Sequence, residues 1–228
     1  QVDRRRVATA AARACGRDPA TVHLLAVSKT QPPAAVRAAA AAGCTDFGEN
    51  YLQEAVAKIE ALADLEVRWH FIGAIQSNKT RQIAEHFHWV HTVGREKVAR
   101  RLSEQCPAGK LLDVTLQVNI DDDPAKGGVA PEDAGTLLDA IVALPHLRAR
   151  GLMTILQRDS APLESYRRLA DLFDRLAPAA GDDWDTLSMG MSGDFADAIA
   201  AGATWVRIGT ALFGPRTNQG PRAPRPDA

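Results

Sequence analysis

The sequence predicts an α/β fold, a single (β/α)8 TIM barrel with a lead-in helix at its amino end. Three observations predict it. Short apolar runs of strand length alternate with helical stretches along the whole chain. The alternation yields eight strands at a regular period of roughly 25–30 residues, in a chain close to the ~250 residues usual for that barrel. No GxGxxG turn follows the first strand, which ends Ser28-Lys29-Thr30. An open doubly wound sheet, the alternative arrangement, is expected to carry that turn.

The elements follow in order. Residues 3–15, Ala- and Arg-rich with no breaker before Gly16, predict the lead-in helix. His23-Leu24-Leu25-Ala26-Val27 is the first strand, and Pro32-Pro33 opens an Ala-rich helix that stops at Gly43. Strands near 45–48, at 68–72 and at 89–93 are followed by helices from 51, 77 and 95. A long apolar strand at 111–120 leads to a helix from Pro131, and a strand at 148–155 to a helix from Pro162. A strand near 186–189, a helix from 193 and a last strand at 204–208 complete the set. Residues 1–214 therefore form the barrel domain. The stretch 215–228, rich in Pro and Arg without periodicity, predicts a mobile tail.

Composition narrows the function. The chain of 228 residues is 46% hydrophobic and 24% charged, with 27 Lys+Arg against 28 Asp+Glu. That near balance argues against a nucleic-acid partner, which needs a basic excess. No stretch approaches the ~20 apolar residues that span a bilayer, and no apolar core follows the charged amino end, so neither membrane insertion nor secretion is expected. Cys15, Cys44 and Cys106 are odd in number and in no CxxC spacing, which predicts free thiols in a reducing, cytoplasmic setting.

In a parallel barrel, chemistry gathers at the carboxyl ends of the strands. The polar residues there are Lys29, then Glu49 and Asn50, then Gln76, Ser77 and Asn78, then Asn119, and finally Ser192, Arg207, Gly209 and Thr210. Alternation puts Lys29 on the face of Leu25 and Val27, aimed at the barrel mouth. Partial desolvation there lowers an ammonium from its ordinary ~10.4 and frees the amine to attack a carbonyl. The plain alternative is a strand-end lysine reaching solvent. Only six of the 27 basic residues are Lys, which sets Lys29 apart.

The second constellation is Ser188-Met189-Gly190-Met191-Ser192-Gly193 with Arg207-Ile208-Gly209-Thr210. Barrels commonly hold phosphate on the loops after strands seven and eight, where a hydroxyl and unpaired backbone N–H groups meet. Ser192 as a simple N-cap is the competing reading. Arg207 shares a face with Gly209 and points inward, where its guanidinium requires an acceptor. His86, His88 and His91 do not form a metal cluster, because strand alternation separates His91 from the other two. Asp121-Asp122-Asp123 reads as a solvated turn, and His70 as a satisfied core histidine.

The segments AVSKT at 26–30, FGENYLQE at 47–54, WHFIGAIQSNK at 69–79, GLMTI at 151–155, LSMGMSGDFADAI at 187–199 and VRIGTALFG at 206–214 resemble the pyridoxal phosphate homeostasis protein family, in order and over nearly the whole chain. Members of that family are similar to the barrel domain of alanine racemase without its second domain. The resemblance implies that Lys29 forms the internal aldimine with pyridoxal 5′-phosphate. It places Ser192, Gly209 and Thr210 around the phosphate, Arg207 at the pyridine nitrogen and Asn50 near the ring. An arginine there cannot protonate the ring, which makes it a poorer electron sink. The racemase's second base is a tyrosine from its other domain, and Tyr51 and Tyr166 are the only tyrosines here. The resemblance therefore implies a monomeric cytoplasmic carrier or reservoir that hands the cofactor to apo pyridoxal phosphate enzymes without efficient catalysis. The alternative is a small pyridoxal phosphate racemase or lyase. VNIDDDPAKGG at 118–128 and LQRDS at 156–160 depart from the family pattern.

Overall fold

The structure is a computed structural model and describes residue 9, residues 11–157 and residues 161–214. Eight parallel strands close in sequence order, β1 pairing with both β2 and β8. They are β1 (His23–Val27), β2 (Asp46–Glu49), β3 (Arg68–Phe71), β4 (Trp89–Val93), β5 (Leu112–Gln117), β6 (Leu147–Met153), β7 (Thr186–Ser188) and β8 (Trp205–Ile208). The expected barrel is the one found, and the doubly wound alternative falls because β1 and β8 are hydrogen-bonded neighbours.

Helices α1 (Pro33–Ala41), α2 (Leu52–Ala61), α3 (Thr80–His86), α4 (Glu96–Glu104), α5 (Ala134–Val142), α6 (Pro162–Ala180) and α7 (Phe195–Ala200) each join one strand to the next, and α8 (Thr210–Phe213) follows β8. Prolines open α1 and α6, where a missing N–H costs no helical bond. Residue 9 and residues 11–14 are helical; the rest of the expected lead-in helix, residues 3–8 and 10, lies outside the described residues, as does the tail 215–228.

Several expected boundaries move. The helix placed from 77 begins at Thr80, after a turn closed by Lys79 N–H on the Gln76 carbonyl at 2.9 Å. The strand placed at 111–120 ends at Gln117; beyond it Val118 still donates to the Met153 carbonyl at 2.8 Å and forms an isolated bridge with Val129, whose carbonyl accepts the Asn119 N–H at 2.9 Å. The helix placed from Pro131 starts with a single 3-10 turn, Pro131–Asp133, before α5. Sequence analysis placed no helix after the last strand, and α8 is new.

The apolar core lies between barrel and helices, where Ala26, Phe47, Phe71, Val90, Val114 and Leu116 turn outward under the helix layer. A separate small cluster, Leu25, Val27, Ile72 and Trp205, fills the barrel interior. Trp89 and Trp205 come from opposite strands, and their rings meet at 5.9 Å across the lumen. One glycine shapes the wall. At Gly151 the β5–β6 register skips a residue and φ is +152°, and a methyl there would collide with the Thr186 carbonyl.

The amino-end rim is ringed by ion pairs, Arg68 on Asp46, Arg148 and Arg150 on Asp113, and Arg150 on Asp185. At the carboxyl-end rim Lys58 pairs with Glu49 and Glu54 beside the ends of β1 and β2.

Candidate functional site

Lys29 stands two residues beyond the end of β1 and is half-buried. Its two neighbours are clamped. Ser28 is fully buried, its hydroxyl donating to Glu49 Oε1 at 2.6 Å and its carbonyl accepting from Lys58 Nζ at 2.8 Å. Thr30, in the left-handed region at φ +62°, donates its N–H to Glu54 Oε1 at 2.6 Å. Lys58 also donates to Glu49 at 2.6 Å and Glu54 at 3.0 Å, so one buried ammonium ties α2 to the ends of β1 and β2. Burial pushes the Glu49 carboxyl up against the opposing pull of Lys58. Sequence analysis singled out Glu49 and missed Lys58 and Glu54. Their i,i+4 spacing on α2 was the available signal.

The partner segments reach the same rim. Ala26 is level with Ile208, which brings Gly209 beside Val27. A Cβ on Gly209 would stand 3.4 Å from the Val27 side chain and carbonyl, over the mouth, so the absent side chain leaves a cradle there. The Arg207 amide donates to the Gly190 carbonyl at 3.0 Å, so the loop after β7 and the turn after β8 run side by side. Gly190 has φ +89°, and a Cβ would lie 2.5 Å from that of Ala198. Only glycine fits that bend.

Ser192 is exposed, and α7 begins beyond it at Phe195 with Asp194 at its N-cap. The reading of Ser192 as an N-cap is thereby corrected. Asp194 also accepts the Met191 N–H at 2.6 Å, and its charge is the second cause, after burial, that pushes the Tyr166 phenol up. Gly209 caps α8, and Thr210 opens it with its side chain exposed. Asn50 is half-buried, with its Oδ1 buried and without a hydrogen-bond partner.

Arg207 points into the barrel as expected and is 4% exposed. Its acceptors are neutral, the carbonyls of Ser188 at 2.7 Å and Thr154 at 2.8 Å and the Ser188 hydroxyl at 3.1 Å. Burial lowers its pKa. Below it, His91 Nδ1 meets Ser188 Oγ at 2.8 Å, His91 Nε2 meets His70 Nδ1 at 3.0 Å, and His70 Nε2 meets Asp46 Oδ1 at 3.0 Å. His70 is thus a satisfied core histidine. Sequence analysis missed Ser188 and Thr154 as partners of Arg207, because nothing in the chain order links strands six, seven and eight to one guanidinium.

Other residues lie elsewhere. The alternation argument for the three histidines does not hold for two of them. His86 ends α3 with Nδ1 against the Gln82 carbonyl, and His88 precedes β4 and accepts the Trp69 N–H at 3.0 Å. Among the described residues no three His, Cys, Asp or Glu are grouped to hold a metal. Asn119 closes a turn on the Asp123 backbone, and Asp121 accepts from Ser165 Oγ and the Gln157 N–H. Gln76 and Asn78 are exposed and Ser77 is half-buried on the far loop. Among the described residues no helix is long and apolar enough to cross a membrane.

A closed parallel (β/α)8 barrel is the fold shared with the alanine racemase class of barrels. The chain belongs to the family of the alanine racemase N-terminal domain, whose model matches residues 4–217, and within it to the pyridoxal phosphate homeostasis proteins. It is 60% identical over 210 residues to the pyridoxal phosphate homeostasis protein of Pseudomonas aeruginosa, covering 90% of each chain. It is 48% identical over 218 residues to that of Escherichia coli, covering 91% of this chain and 92% of the other. The solved structure of PipY from Synechococcus elongatus with PLP bound superposes with a TM-score of 0.79 at 38% identity, covering 91% of this chain and all of that one. Alanine racemase from Corynebacterium glutamicum shares the fold at 18% identity and a TM-score of 0.68, and the match spans 62% of that chain.

Proposed function

We propose that this chain binds pyridoxal 5′-phosphate as a Schiff base on Lys29 and serves intracellular homeostasis of that cofactor as a carrier and reservoir. The observation that supports the reading is that Lys29, half-buried and flanked by two clamped residues at the end of β1, shares a rim with Gly209 on the neighbouring strand. The relatives named for pyridoxal phosphate homeostasis and the PLP-bound PipY support the cofactor.

The residues present suit the group. Ser192, Gly209 and Thr210 supply a hydroxyl, an open backbone and a second hydroxyl for a phosphate. Asn50, whose Oδ1 is buried without a partner, offers an acceptor near the ring. When bound, the cofactor would supply an aldehyde, and Lys29 would be the amine that holds it. Arg207 would face the ring nitrogen as a hydrogen-bond donor, and a delocalised guanidinium keeps its proton at neutral pH instead of passing it to a pyridine.

Little is left to carry turnover. The Tyr166 phenol is buried against Asp194, and Tyr51 is 54% exposed. The reading is therefore of a monomeric, cytoplasmic carrier that hands its cofactor to apo-enzymes. Purified protein incubated with the cofactor is expected to turn yellow, to be fixed by borohydride, and to lose both properties in Lys29→Ala. Persistence of the fixed label in Lys29→Ala would overturn the assignment. Exchange of a substrate's α-hydrogen for solvent deuterium at ordinary enzymatic rates would favour a racemase or lyase over a carrier.

A further inference from the structure

The barrel lumen carries a continuous line of polar side chains from Arg207, near the mouth, to Asp46 at the amino-end rim. Its members are Arg207, Ser188, His91, His70 and Asp46, each at most 5% exposed, and they come from β8, β7, β4, β3 and β2. The links measure 3.1, 2.8, 3.0 and 3.0 Å in that order. Trp89 stacks on His70 at 5.5 Å with 9° between planes, and Trp205 lies 5.1 Å from the same ring, so aromatic surface walls the line off.

The chemistry of the two ends dictates which way every hydrogen points. A guanidinium can only donate, and an ionised carboxylate can only accept. Asp46 is held ionised by Arg68 at 2.7 Å and by the Thr45 hydroxyl at 2.6 Å. His70 must therefore carry its hydrogen on Nε2 to reach Asp46, which leaves Nδ1 as an acceptor. His91 must then donate from Nε2, which leaves its Nδ1 to accept from Ser188, whose oxygen in turn accepts from Arg207. Any other tautomer sets two lone pairs face to face at 3.0 Å somewhere along the line. Burial lowers the pKa of each imidazole, which favours the singly protonated rings that this assignment takes.

We propose that Ser188, His91 and His70 form a one-way hydrogen-bond relay, anchored on Asp46, that positions the Arg207 guanidinium for the cofactor's ring nitrogen. The three are positioning residues, and the inference rests on the reading of Arg207 given above. Hydrogen bonds in series polarise one another, so the far carboxylate stiffens the near guanidinium.

The test has two arms. In the first, nitrogen-15 NMR of the protein without cofactor is expected to find both His70 and His91 protonated on Nε2 and bare on Nδ1. A hydrogen on Nδ1 of either ring would overturn the relay. In the second, uptake of pyridoxal 5′-phosphate is compared between His91→Gln and His91→Leu, side chains of similar size. Glutamine can accept from Ser188 and donate to His70, so it is expected to retain the cofactor nearly as the native protein does. Leucine can make neither bond, and about tenfold weaker retention is expected. Equal retention by the two variants would overturn the positioning role. His70→Phe adds a readout that packing alone would not move, for His91 is expected to shift its hydrogen to Nδ1 toward Ser188. If the native protein took up no cofactor, the proposed function would fall, and the tautomers would still decide the relay.

Discussion

At the scale of single residues, the site is made by what flanks it. Lys29 has its backbone fixed on both sides by Glu49, Glu54 and Lys58 rather than by its own strand. The proposed phosphate side depends on small groups. Ser192→Ala is expected to weaken cofactor retention by about 1.5–3 kcal/mol, roughly ten- to a hundredfold, since a hydroxyl donor to a charged group is lost. Gly209→Val places branched carbons over Val27 where a Cβ already lies at 3.4 Å, and is expected to weaken retention while the fold persists. Equilibrium dialysis checks both, and unchanged affinity in both would remove the phosphate assignment. That Lys29, Arg207 and the small-residue loops stand at strand ends was legible in the sequence, because a strand end is a local feature. Lys58, Ser188 and Thr154 were not, because their roles depend on strands and helices far apart in the chain.

Elements hold one another through a few buried polar links. The Lys58–Glu49 pair joins α2 to β2 with both side chains at most 3% exposed. Removing one partner of a buried pair strands the other's charge, at a cost of about 3–5 kcal/mol, whereas replacing both by apolar groups of similar volume is often nearly neutral. Lys58→Met is therefore expected to lower the urea midpoint markedly, and Lys58→Met with Glu49→Leu to recover most of the loss. A double variant no more stable than the single one would show that the pair contributes through its hydrogen bonds to Ser28 and not through its charge. Periodicity placed all eight strands and the helices between them, and erred by up to three residues where turns intervened, as at Thr80. Hydrophobic spacing carries no mark of where a turn closes its last hydrogen bond.

For the whole molecule, the buried lumen links stability to pH. Burial lowers His70 and lowers His91 well below the ordinary imidazole value. The unfolded chain takes up these protons near pH ~6.5 and the native one does not, so the unfolded state binds more protons and stability falls as pH drops below about 6.5. At pH ~5.5 each imidazole that stays neutral in the native state while protonating in the unfolded chain adds to that loss, so the urea midpoint is expected to be lower there than at neutral pH. Asp46 acts in a different window. Burial raises it, but its bonds from His70, Thr45 and Arg68 prevail and hold it well below the usual carboxylate range. Its stabilisation is present above about pH 4 and is lost only in stronger acid. Urea midpoints at pH ~7.5 and ~5.5 check the first window. His91→Gln is expected to flatten the difference, and equal midpoints in the native protein would show both imidazoles titrating normally.

The amino-acid sequence by itself determined the barrel, its strand count and the residues at the rim. Those follow from alternation, turn residues and strand ends, all of which are read along the chain. Only the tertiary structure decided what Arg207 rests on, how Lys29 is clamped and which histidines meet. Closing the sheet makes neighbours of residues from five different strands, and a hydrogen bond depends on distance in space, not on separation in the chain.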